Sequence, residues 1–170
     1  MTPNAPTTIR QASGDDVRGM LDFLDDLVAE RPDTISLRTT PSLQDQRDRL
    51  DRARFTDRAL ILLALEGRRV VGMLEIWGGE RADNRHAGRL GMSVTASRRG
   101  HGVGRRLLSA AIEETRAWPG FCRIELECAP WNAKAIALYE SMGFRHEGRM
   151  IKALNLRGTP EDMLLMALTS

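Results

Sequence analysis

The chain has 170 residues, of which 42% are hydrophobic and 28% charged, and its formal net charge is +2. These values predict one soluble globular domain over residues 1–170, long enough to bury a real core. No apolar run approaches the roughly 20 residues of a membrane span, and the near-neutral balance gives no reason to expect nucleic acid or a membrane surface as a partner.

Residues 1–7 are polar, carry Pro3 and Pro6 and lack a hydrophobic stretch, so a disordered start and not a signal peptide is expected. Residues 8–10 read as a short strand. Asp15 can cap a helix in which Val17, Met20, Leu21, Leu24 and Val28 recur at helical spacing, and Pro32 limits it. Ser42 opens a second, weaker helix through Leu43 and Leu50, heavily charged elsewhere. The period then changes. Residues 59–65 are a continuous apolar run, Glu66 and Gly67 a turn and residues 69–77 a second strand, together an antiparallel hairpin. After a polar loop at 78–84, residues 90–94 form another strand, broken at Gly91. A turn rich in Gly and Arg leads into a strong helix from Val103, with Leu107, Leu108, Ala111, Ile112 and Thr115 on one face and Pro119–Gly120 at its end. Residues 123–128 alternate as a strand, and Pro130 and Asn132 start a helix that stops at Gly143. Residues 144–154 and 162–168 are the last two strands. This order predicts α/β architecture of the mixed α+β kind with a mostly antiparallel sheet.

Cys122 and Cys128 fall on one predicted strand, about 20 Å apart at its rise per residue, whereas a disulfide needs alpha carbons within about 7 Å. No cysteine–histidine spacing resembles a zinc site, so no metal is expected, and a reducing cytoplasm is the natural setting.

Most of the functional signal lies in residues 94–106. The alternate glycines Gly100, Gly102 and Gly104 let the backbone approach a ligand and aim successive N–H groups into one concavity. That concavity feeds a helix N-terminus, whose unpaired N–H groups and dipole favour an anion, and the flanking arginines add charge. A Walker loop needs Gly-Lys-Ser/Thr, and here Arg105 follows Gly104. The Rossmann spacing also fails, because Arg105 and Leu107 hold the two candidate third-glycine positions. Two plainer readings stay open: a helix-entry turn that uses glycine for geometry, or an arginine patch for nucleic acid. Missing aromatic interleaving and the low net charge weigh against the second.

Arg99-x-x-Gly102-x-Gly104, after a strand ending Leu90-Gly91-Met92-Ser93-Val94, resembles the acyl-CoA pyrophosphate loop of the GNAT superfamily of N-acetyltransferases. Downstream, Asn132, Ala135, Leu138, Tyr139, Gly143 and Phe144 complete a pattern similar to that family's second cofactor motif. The resemblance covers residues 59–168 and implies a GNAT-like fold: about six to seven strands, mostly antiparallel, flanked by about four helices. It implies that acetyl-CoA is the co-substrate. Backbone N–H groups of Arg99, Gly100, His101, Gly102, Val103, Gly104 and Arg105 would hold its pyrophosphate. Groups near Val94 would bind the pantetheine arm and polarise the thioester, and Asn132 and Ala135 would contact the cofactor. Tyr139, the only tyrosine, would act as general acid toward the departing thiolate. Asn132 is also a good N-cap, and Tyr139 could be a half-buried core aromatic.

An amine acceptor arrives as an ammonium ion and must lose a proton. Several relatives carry a glutamate immediately before the Leu-Gly of the central strand, but Arg89 stands there in this sequence, so no base carries over. Glu75 and Glu127 are the candidates, acting through ordered water, with a salt bridge to an arginine as the alternative for each. His86 could also serve, though a solvated loop histidine is the commoner outcome. Asp22, Asp25, Asp26 and Glu30 would make the first helix an acidic acceptor wall, or are simply its solvated face. The preferred acceptor is a small-molecule primary amine, an amino acid or related metabolite. A protein N-terminus or lysine, and a non-catalytic acyl-CoA sensor, remain the rivals. Members of the family often form homodimers, and no interface signal is visible here.

Overall fold

The computed structural model describes residues 6–30, 39–155 and 158–170. Its elements run β1 (Thr7–Gln11), α1 (Val17–Glu30), α2 (Leu43–Phe55), β2 (Ala59–Glu66), β3 (Arg69–Gly78), β4 (Ala87–Val94), α3 (Val103–Arg116), β5 (Arg123–Cys128), α4 (Ala133–Ser141), β6 (Arg145–Asn155) and β7 (Pro160–Thr169). The strands form one 7-stranded sheet in the order β1-β2-β3-β4-β5-β7-β6. Every neighbouring pair is antiparallel except β4 and β5, which matches the expected mixed α/β class.

The sheet is covered on both faces. On one side Val103, Leu107, Leu108 and Ala111 of α3 pack with Leu60, Leu62, Leu74 and Ile76. On the other, Met20, Leu24 and Leu27 of α1 and Leu50 of α2 pack with Ile61, Leu63 and Val70. This two-sided cover explains the unbroken apolar run of β2, because a strand buried on both faces has no polar face to alternate with. It also sets Glu75: Leu74 and Ile76 face α3, so Glu75 between them faces α1 and α2.

Several local expectations change. The strand expected to break at Gly91 is continuous, with Gly91 opposite Glu75 in the β3–β4 ladder. The ladder is made by main-chain groups, and the missing side chain only leaves space: nothing lies within 4 Å of where its Cβ would stand. Asp15 lies inside a 3-10 turn, Gly14–Asp16, that leads into α1. Ser13 precedes that turn and donates its N–H and hydroxyl to Asp16, each at 2.8 Å. Residues 1–5 of the disordered start, and the stop at Pro32, lie outside the described residues, while Thr7 already pairs with Glu66. No described helix is long and apolar enough to cross a membrane.

Candidate active site

β4 and β5 share only three register pairs, Ala87↔Arg123, Gly88↔Ile124 and Arg89↔Glu125. Beyond them β5 stays with β7 as far as Cys128↔Leu164, so β4 is left with an unpaired edge over residues 90–94. That edge, the loop after it, α3 and α4 enclose a cavity of about 940 Å³. Thr95 ends the ladder by donating its N–H to Val71 O at 3.0 Å. The loop then turns through Gly100 and Gly102, both at φ +78°, a left-handed conformation that side chains disfavour. Backbone N–H groups from Gly100 to Arg105 have no acceptor among the described residues, and no acidic residue sits in the first turn of α3. A row of unsatisfied N–H groups at a helix N-terminus is a site for an anion. Gly104 serves packing instead: a Cβ there would stand 3.3 Å from Leu138 and 3.5 Å from Met92.

Two arginines brace the loop. Arg99 donates Nε to Val94 O at 2.9 Å and pairs with Glu30 at the end of α1, whose carboxylate also accepts Ala96 N–H at 2.9 Å. Arg105 donates to Ser141 Oγ at 2.7 Å. Across the cavity, Asn132 caps α4 by accepting Ala135 N–H at 3.3 Å. Tyr139 is buried, with its ring 5.6 Å from that of Phe144. Its hydroxyl has no hydrogen-bond partner among the described residues. Burial, and then the neighbouring Cys128 thiol, push the phenol well above its ordinary pKa, so it stays neutral and keeps a proton to donate. Burial also pushes Cys128 up to about 11.

On the α1–α2 side of β4 lies a second cavity, of about 490 Å³, and Gly91, Met92 and Ser93 line both. Leu24 and Leu27 of α1, Gln46 and Arg49 of α2, and Met73 and Glu75 of β3 form its walls. Glu75 accepts Arg49 Nε at 3.0 and 3.2 Å and Trp77 Nε1 at 2.8 Å. The Arg49 guanidinium lies 5.1 Å above the Trp77 ring, a cation–π contact that fixes its plane.

A sequence model of the acetyltransferase (GNAT) family matches residues 22–144. The chain belongs to that family. The acetyltransferase is similar over 97% of its length to the whole of a GNAT-family acetyltransferase from Streptococcus pneumoniae, at 26% identity and a TM-score of 0.92. It is similar at 26% identity and a TM-score of 0.85 to the ribosomal-protein-alanine N-acetyltransferase of Brucella melitensis, with 96% and 99% of the two chains covered. The acetyl-CoA complex of Salmonella typhimurium yncA shares its fold, at 23% identity and a TM-score of 0.85 over 98% and 94% of the chains. The protein is thus an acetyl-CoA-dependent acyltransferase, and its first cavity fits that co-substrate through the free N–H row and the unpaired β4 edge. When bound, acetyl-CoA supplies an activated acetyl thioester.

In this acetyltransferase Val94, Arg99, Gly100, Gly102, Val103, Gly104, Arg105, Asn132, Ala135 and Tyr139 all line the first cavity. His101 does not line it; its ring Nδ1 lies 2.9 Å from Arg99 O at the surface. Glu75 and Glu127 are not brought together: Glu127 lines the first cavity and pairs with Arg89, and Glu75 lines the second. His86 is exposed and lines neither. The acidic wall expected on α1 is instead apolar. Asp25 accepts from Thr40, Asp26 pairs with Arg69 at 3.1 Å, and Asp22 is exposed. Leu24 and Leu27 turn inward, since residues three apart share a helix face. Gln46 and Arg49 escaped sequence reading because α2 is charged almost all round. The usable signal was Gln46 four residues before buried Leu50, on the same stripe.

Proposed function

We propose that the protein transfers the acetyl group of acetyl-CoA directly to the primary amine of a small molecule, an amino acid or related metabolite, in a ternary complex. The single observation carrying this reading is that the two cavities meet along Gly91, Met92 and Ser93, with the thiol-side donor Tyr139 in one and Glu75 in the other. In this reading the N–H groups of residues 100–105 hold the pyrophosphate, while the expected N–H of Arg99 is taken by Thr95 O and Ala96 O at 3.2 and 3.3 Å; Val94 orients the thioester, and Asn132 and Ala135 flank the pantetheine. The ammonium gives one proton to Glu75, and the freed lone pair attacks the thioester carbon. As the C–S bond breaks, its electron pair goes to sulfur, where the Tyr139 hydroxyl donates a hydrogen bond. One ammonium and one thioester become an amide, a thiol and a released proton. The second nitrogen proton passes through ordered water to the sulfur beside Tyr139, and Glu75 releases the first to solvent; Glu127, through ordered water, is the alternative acceptor of that first proton. A reducing, cytoplasmic setting suits the two unpaired cysteines.

A protein N-terminus is the second reading, favoured by likeness to the ribosomal-protein-alanine N-acetyltransferase. An assay of thiol release from acetyl-CoA across a panel of amines tests both. Turnover of free small amines supports the proposal, and turnover confined to peptides overturns it. Saturable CoA binding without turnover on any amine marks a sensor.

A further inference from the structure

We propose that Arg49 is the specificity residue of the acceptor cavity, and that it selects free α-amino acids by binding their carboxylate beside the amine that Glu75 deprotonates. The inference rests on the small-molecule reading above. Arg49 stands at the rim, its side chain 48% exposed, while the Glu75 side chain is 10% exposed. Its Nε and Nη2 are spent on Glu75, whereas Nη1 has no acceptor among the described residues. The cavity therefore holds a cation and an anion in direct contact. A ligand that satisfies both at once needs an ammonium and a carboxylate equally close together, and placing both on one carbon meets that requirement. The substrate carboxylate takes Nη1 and draws Nη2 away from Glu75, a planar two-pronged match that Arg makes well, and this frees a Glu75 oxygen for the ammonium.

Two further features agree. Gln46 is 1% exposed, yet its amide nitrogen reaches only Met20 Sδ, at 3.8 Å, a weak acceptor that leaves hydrogen-bonding capacity for a ligand. Leu24, Leu27, Met73 and Met92 suit an apolar side chain.

The test is kcat/KM at saturating acetyl-CoA for the common L-amino acids, each beside its carboxamide. The carboxamide keeps amine and side chain but loses the charge, and mimics a protein N-terminus. The wild type is expected to favour free acid over amide about 100-fold, expressed mainly in KM. In Arg49→Gln the ratio falls to within about threefold of unity, and Arg49→Lys keeps an intermediate ratio, which a merely structural role would not produce. A thermal shift with CoA confirms that each variant is folded. Equal turnover of acid and amide by the wild type, or an unchanged ratio in Arg49→Gln, overturns the role of Arg49 while leaving acetyl transfer to amines standing. No turnover on any free amine removes the small-molecule reading and this inference with it.

Discussion

Arg89 of β4 stands opposite Glu125 in the last register pair of the parallel ladder, and its guanidinium reaches past it to the carboxylate of Glu127. The pair therefore sits where the strands part, on the rim of the cofactor cavity, with the arginine side chain 63% exposed and the glutamate 22%. An ion pair this open contributes about 0–1 kcal/mol. Before Leu90-Gly91, this chain therefore places a group that ties up a carboxylate and supplies none. Glu127→Gln is expected to leave kcat within about threefold of wild type, whereas Glu75→Gln lowers kcat/KM about 100-fold, the usual scale for a lost general base. Steady-state kinetics with the best acceptor checks both, and the reverse ranking would move the base to Glu127.

Tyr139→Phe is expected to lower kcat about 10- to 100-fold while changing CoA affinity by less than about threefold. The hydroxyl makes no hydrogen bond to the described protein, so its removal orphans nothing and the melting temperature should hold. Proton donation from so buried a phenol looks unfavourable against a free thiol. A thiolate leaving in the same wall is disfavoured by the same burial, as Cys128 shows, so donor and acceptor rise together. Because the phenol stays neutral, no alkaline loss of kcat below about pH 10 should come from it, and a pH–rate profile of wild type and variant tests this.

What the sequence made legible was local. The two left-handed glycines, the helix that follows, the Asn132 cap and the alternation of β5 are each decided within a few residues, and both cofactor motifs follow from them. What it hid was long-range. Arg49 and Glu75 lie 26 positions apart, on a helix and a strand whose meeting depends on how α2 crosses the sheet. No periodicity could say that Glu75 would face α2 and Glu127 the cofactor cavity. The acidic residues of α1 misled for the opposite reason: charge on a helix says little about direction unless the apolar stripe is laid out first, and here Leu24 and Leu27 take the inward face.

Gly102 and Gly104 of the loop should separate in their effects. At Gly102 a Cβ meets nothing within 4 Å, but φ is +78°, so Gly102→Ala costs about 1 kcal/mol of backbone strain and disturbs the N–H row, lowering CoA affinity at least about 10-fold. Gly104→Ala has ordinary helical backbone and instead presses on Leu138 at 3.3 Å. That tip is flexible, so stability should change by less than about 1 kcal/mol, with CoA affinity falling less than for Gly102→Ala. Calorimetric titration with CoA and thermal melts of the two variants distinguish conformation from packing.

Asp16 ties the start of α1 to β1. It accepts both Arg10 nitrogens at 2.7 Å and the Ser13 N–H and hydroxyl, and the Arg10 bonds above all lower its pKa from 3.8 to about 2. Between those values the unfolded chain binds the proton more readily than the fold, so the stabilisation is complete above about pH 4 and is lost as pH falls toward 2. The Arg10 side chain is 45% exposed, so screening reduces the effect to about 1 kcal/mol. Asp16→Asn should lose that stability at neutral pH and show a flatter fall in melting temperature between pH 4 and 2 than the wild type. Parallel slopes in that window would mean that the Arg10–Asp16 pair contributes nothing to the fold.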